Sequence, residues 1–192
     1  MRLLPASIIA LLYLLPGIGA TQDIEDYSST IEQLKEIPAV APFFESAYGY
    51  GIWPRIARGG LGIGAASGKG QIYKDGKVTG FSRLYDVTIG FQAGGQAYKQ
   101  VVFFEDERAY REFTSGSFQF DASASAVAVT ASAQANASTQ GSQATAGTTG
   151  VAATGAGAGY YKGLQVFTMS IGGLMYQATV GGQKYNFKPV KE

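Results

Sequence analysis

Beyond its first twenty residues the chain alternates between two hydrophobic periods. Asp23 to Ile37 places Ile24, Tyr27, Ile31 and Leu34 at spacings of three and four, the period of one helix face, with Ser29-x-x-Glu32 resembling a capping box. Pro38 stops that helix, and Pro42 opens a short second one through Phe43, Phe44 and Ala47 that ends at Gly49. From Tyr50 the period shortens to two. Gly51 to Ile56, Leu61 to Tyr73, Lys77 to Gln96 and Gln100 to Phe104 read as strands. Lys74-Asp75-Gly76-Lys77 is the predicted hairpin turn, because Asp-Gly supplies the positive φ angles a two-residue turn needs. Asp106 then caps a helix through Ala109, Tyr110 and Phe113, which Gly116 is placed to end.

Two glycine-rich stretches modify this picture. Gly60, Gly62 and Gly64 share one face of a period-two element while Leu61 and Ile63 share the other. Glycine weakens a strand, so a bare face of this kind predicts close approach by a backbone, a second layer or a ligand. Ala122 to Gly159 is almost all Ala, Ser, Thr, Gly and Gln. Its first part, with Phe118 to Ala131, alternates tightly enough for a strand. Gln134 to Gly159 has no bulky apolar residue beyond Val151, cannot offset its ordering entropy, and is expected to be a flexible hairpin loop. Tyr160 to Phe187 returns to strand pairing.

Met1 to Ala20, MRLLPASIIALLYLLPGIGA, has a positive start at Arg2, an apolar run from Leu3 to Leu15 and a small-residue end, the pattern of a signal peptide cut after Ala20. Residues 21–192 are then one exported domain, long enough for a sizeable core. The chain has no cysteine, so burial alone must hold it. Fifteen Lys and Arg face fourteen Asp and Glu, and loss of Arg2 makes the remainder formally neutral, which argues against nucleic acid as a partner. Charge is unevenly placed. Ser46 to Phe104 holds Arg55, Arg58, Lys69, Lys74, Lys77, Arg83 and Lys99 against Asp75 and Asp86. That basic middle suits an anionic headgroup, or is simply the solvated face of hairpins.

Little here supports catalysis. With neither His nor Cys, His-assisted nucleophiles, thiol chemistry and the common zinc sites are excluded. Glu105, Asp106 and Glu107 fit a helix start, where acids complement the dipole. Gly60-x-Gly62-x-Gly64 has the wrong spacing for a dinucleotide fingerprint. No enzyme activity, metal or cofactor is expected. The candidate lipid-binding residues are Trp53, Arg55, Arg58 and Lys69: a Trp ring suits a membrane interface because its N–H can stay wet, and basic side chains meet phosphate oxygens. A core Trp53 beside an edge-strand proline is the other reading of the same residues.

AYGYGIWP, GGLGIGAASGKGQIY, TIGFQAGGQAYKQVVFFED, FTSGSFQF, ASAVAVTA and VFTMSIGGLMYQATVGGQKYNF, in this order over Phe43 to Pro189, resemble the lipid-binding SYLF domain in its secreted bacterial form. The resemblance implies a phospholipid-binding domain without enzyme chemistry, with a eukaryotic branch at phosphoinositide membranes and, in fungi, on actin. Export argues against actin here. The expected fold is α+β: N-terminal helices on a strongly bent antiparallel sheet or half-barrel, with one inserted helix. The expected function is noncatalytic binding of phospholipid or an anionic membrane surface in the periplasm or cell envelope. A small outer-membrane β-barrel and a scaffolding module for protein partners are the alternatives.

Overall fold

The computed structural model describes residues 23–61, 63–89, 94–120, 127–129, 159–171 and 182–191. Three helices, α1 (Ser28–Lys35), α2 (Ala41–Ser46) and α3 (Glu107–Phe113), accompany eight strands: β1 (Gly49–Leu61), β2 (Ile63–Lys74), β3 (Lys77–Ile89), β4 (Gly94–Phe104), β5 (Ser117–Gln119), β6 (Val127–Val129), β7 (Leu164–Ile171) and β8 (Lys184–Pro189). All strands join one sheet in the order β5-β8-β3-β2-β1-β4-β7-β6. Every pairing is antiparallel except β6 with β7. The architecture is therefore α+β on a mostly antiparallel sheet that does not close among the described residues. The signal peptide segment and residues 134–158 of the expected loop lie outside them.

Local signals act where the sequence places them. Asp75 and Gly76 take φ of 50° and 73° and join Lys74 to Lys77 in register. The Asp106 carboxylate accepts from the Ala109 amide at 2.7 Å, capping α3, and Gly116 beyond the helix has φ of 123°. Proline occupies the first turn of α2. The helix at Asp23 to Ile37 is shorter than its period suggests. It starts at Ser28, whose amide donates to Asp26 Oδ1 at 2.9 Å, so Ser29 does not cap it, and Ile24 precedes it, 57% exposed. The first strand runs on to Leu61 rather than stopping at Ile56, and the segment expected as one strand from Lys77 to Gln96 is divided between β3 and β4.

The sheet buries both faces, because α1 and α2 cover part of one and α3 packs on the other. Alternation sorts the side chains: Ile52, Tyr73, Val101, Phe103 and Phe167 point to the α1–α2 side, whereas Trp53, Ile72, Val102, Phe104 and Val166 point to the α3 side. Phe43 and Phe44 of α2 meet the Phe103 ring at centroid distances of 5.5 and 4.9 Å. Phe113 of α3 lies 5.0 Å from Phe104 and 5.1 Å from Tyr185.

Trp53 and Ile56 share the α3 side although they are three residues apart. The cause is a bulge at Pro54. Ile52 to Arg55 on β1 spans only Gln71 to Lys69 on β2, and Trp53 to Ile56 spans only Gln100 to Tyr98 on β4. One extra residue in β1 shifts the parity of everything after it. Bare backbone on β2 receives these side chains. A Cβ at Gly70 would sit 2.6 Å from the Trp53 ring, and one at Gly68 would sit 2.6 Å from Ile56. Gly68 and Gly70 thus make room for side chains of the neighbouring strand β1.

Candidate functional site

Parity after the bulge decides which basic residues meet. Arg55 and Ala57 of β1 turn outward, as do Ser67 and Lys69 of β2 and Arg83 and Tyr85 of β3. Arg55 pairs with Lys69 and Lys69 pairs with Arg83, so three cations stand directly opposite one another across three strands. Cross-strand partners are about 5 Å apart, and like charges in that position repel. The row lies where the α1–α2 cover ends, along an open depression of 430 Å³ that Glu25, Tyr27 and Pro54 also line. Among the described residues no carboxylate forms an ion pair with any of the three. Three adjacent basic side chains with no carboxylate within ion-pair distance among the described residues, on an accessible face, suit phosphate or carboxylate oxygens.

The rim is held by a small polar cluster. Gln71 Nε2 donates to the Glu25 carbonyl at 3.1 Å, the Tyr73 hydroxyl donates to Gln71 Oε1 at 2.9 Å, and the Tyr27 hydroxyl donates to Glu25 Oε2 at 3.3 Å. Burial, reinforced by the Glu25 carboxylate, pushes the Tyr27 hydroxyl well above its ordinary range. Lys99, beside the bulge on β4, donates to Gln33 Oε1 of α1, and burial lowers its pKa. These contacts fix the segment before α1 against the sheet and leave the row beside it open.

Of the four residues singled out in the sequence, the structure brings two together. Arg55 and Lys69 are exposed and directly paired. Trp53 is fully buried, its ring 5.1 Å from that of Tyr185, and its N–H has no hydrogen-bond partner among the described residues. It packs the core instead of lying at a wet interface. Arg58 also turns inward, where its Nη2 donates to Asp86 Oδ2 at 2.6 Å with the two side chains only 12% and 3% exposed, and its guanidinium lies 5.9 Å from the Tyr98 ring. An Arg so engaged is a structural ion pair. Arg83 is the residue that sequence reading left out of the site. The signal that could have found it is its register with Lys69, which follows by counting back from the Asp75-Gly76 turn and allowing for the shift at Ile72 and Tyr73.

The interior carries polar groups of its own. Gln100 Nε2 donates to the Tyr185 hydroxyl at 2.5 Å and to Gln183 Oε1 at 3.2 Å, Tyr185 donates to Gln183 Oε1 at 2.6 Å, and Gln183 Nε2 donates to the Tyr98 hydroxyl at 3.2 Å. All four residues are buried, so the network fixes strand positions rather than presenting a surface.

The sequence profile of the family described as Ysc84, Las17-binding protein actin regulator, matches residues 85–183. The match runs from within β3 to the residue before β8 and includes Asp86, Tyr98, Gln100 and Gln183, whereas Arg55, Lys69 and Arg83 precede it. No curated protein matches the chain. The matched span is more than half of the 192 residues, and with the ordered SYLF-like blocks that surround it, the chain belongs to the Ysc84 (SYLF) family.

Proposed function

We propose that this protein is a noncatalytic phospholipid-binding protein that docks on anionic membrane surfaces, exported to the periplasm or cell envelope. The observation that carries the reading is the register-paired row Arg55, Lys69 and Arg83 on a face that the helices leave uncovered. Folding places like charges side by side at a cost, and an anionic surface relieves that repulsion on contact. The SYLF resemblance supports lipid as the partner class, and the Arg2, Leu3 to Leu15 and Ala20 pattern supports export. The half-barrel reading of the fold draws support from the contact of Gln100 with Tyr185 across the sheet. The outer-membrane barrel alternative requires a closed sheet, and the sheet does not close among the described residues.

The test is co-sedimentation of the chain from Thr21 onward with vesicles of phosphatidylcholine alone and with added phosphatidylglycerol. Each basic side chain near an anionic surface contributes about 1 kcal/mol, so the triple variant Arg55→Ala, Lys69→Ala, Arg83→Ala is expected to lose about two orders of magnitude in partitioning. Binding should also weaken as salt shortens the Debye length from about 10 Å at 0.1 M to about 3 Å at 1 M. Unchanged binding by the triple variant would move the contact elsewhere. Binding to neither vesicle would leave scaffolding of protein partners as the reading to pursue, in keeping with a family described as Las17-binding.

A further inference from the structure

The face that carries the cationic row changes character along the strands. Moving away from α1 and α2, the rank after Arg55, Lys69 and Arg83 is Ala57, Ser67 and Tyr85, with Lys184 paired to Tyr85. The next is Gly59, Ala65 and Val87. Charge thus falls along the face, from three cations to a rank whose charge is Lys184 beside the amphipathic ring of Tyr85, and then to a rank without charge. Tyr85 is 40% and Val87 72% exposed, so two large apolar side chains of this face stand in the open.

We propose that this end of the sheet, with Val87 leading and Tyr85 behind it, inserts into the lipid surface while Arg55, Lys69 and Arg83 hold the phosphates. The proposal rests on the membrane-docking reading above and adds its geometry. Arg83 and Val87 are four residues apart on β3, about 13 Å along an extended strand, against a polar layer of about 5–7 Å on each side of a bilayer. A face inclined to the membrane therefore keeps the row among the headgroups while Val87 reaches the acyl boundary. Tyr85, between them, sits at the depth where amphipathic rings are favoured. The order of the ranks also fits only one direction of approach, since the opposite tilt would press the cations toward hydrocarbon and leave Val87 in water. The occupant is an anionic lipid bilayer, selected by charge complementarity at the row and by apolar contact at the end.

The chain has no cysteine, so a single introduced one reports without background. Val87→Cys and, on α3 at the other face, Glu112→Cys are each labelled with an environment-sensitive fluorophore and mixed with phosphatidylcholine vesicles with and without phosphatidylglycerol, some carrying spin-labelled lipid. The label at Val87 is expected to shift to the blue and to be quenched on anionic vesicles, while the label at Glu112 does neither. Unlabelled Val87→Asp is expected to lower vesicle partitioning about tenfold, the scale of one aliphatic side chain withdrawn from lipid, with its thermal melt unchanged. Protein that pellets with anionic vesicles while the Val87 label stays in a watery environment would overturn insertion and leave peripheral docking intact, as would a response confined to Glu112. Failure to pellet at all would overturn both readings.

Discussion

Gln100 Nε2 lies 2.5 Å from the Tyr185 hydroxyl, yet β4 and β8, the strands that carry them, stand four places apart in the sheet. Strands are spaced by about 4.8 Å, so a flat sheet would hold the two backbones about 19 Å apart, beyond the reach of these side chains. The sheet must curl around the α3 side to bring them together. The concave interior that results leaves little space beside β2, which is why its glycines meet Trp53 and Ile56 so closely.

That crowding separates two glycines of neighbouring strands. At Gly70 an added methyl would lie 2.5 Å from the Ile52 carbonyl oxygen and 2.6 Å from the Trp53 ring, whereas at Gly59 it would meet nothing within 4 Å. Gly70→Ala is expected to destabilise the protein by about 1–3 kcal/mol, as overpacking does, and Gly59→Ala to be neutral or to stabilise slightly by restricting the unfolded chain. Urea denaturation of the two variants checks the contrast, and equal midpoints would show that the layer beside Gly70 yields.

The two inward- and outward-facing arginines of β1 should behave oppositely. Arg58→Ala leaves Asp86 charged and buried, for which about 3 kcal/mol of destabilisation is expected. Arg55→Ala removes an exposed charge opposite Lys69 and is expected to leave the melting temperature unchanged or raise it slightly. Replacing both members of the buried pair, Arg58→Met with Asp86→Leu, should recover much of the loss. Thermal melts of the three proteins decide this, and a mild Arg58→Ala would mean that water reaches Asp86.

Alkaline pH should unfold the protein through its tyrosines. Burial pushes the Tyr73 and Tyr98 hydroxyls up from 10.0 to about 12, and drives Tyr185 well above its ordinary value. In the unfolded chain these groups release their protons near 10. The folded state therefore binds more protons through this window, and its stability, fully present below pH 10, declines as pH rises toward 12. Phenolate absorbance is expected to show exposed tyrosines titrating first and a later step coincident with loss of the circular dichroism signal. A single smooth titration with the fold intact would contradict the burial of Tyr73 and Tyr98.

Export has its own observable. Mass spectrometry of the native protein is expected to find Thr21 as the first residue, and an intact Met1 recovered in a membrane fraction would overturn the proposed location.

The residues legible from sequence are those whose role depends on a few neighbours along the chain. Asp75-Gly76 turns because of its own φ angles, Asp106 caps because the Ala109 amide is three residues on, and Pro38 and Pro42 bound helices through their missing N–H groups. Ser29 does not cap because the helix begins at Ser28 and already includes it. The presence of basic residues between Ser46 and Phe104 was equally plain.

Simple alternation, however, sets Trp53 and Arg55 on one face, and the extra residue at Pro54 moves them to opposite faces. A bulge is a property of the pairing between strands, and a one-residue shift inverts every side chain beyond it. For the same reason Arg58 finds Asp86 twenty-eight residues away, and Arg83 joins Arg55 and Lys69 only once three strands are aligned. By itself the sequence determined the turns, the caps, the two hydrophobic periods and the supply of positive charge, because each is settled by local backbone geometry or composition. Which arginine is buried, which cations form a row and which face exposes Val87 were decided by the tertiary structure, because strand register and curl arise from contacts between residues far apart in the chain.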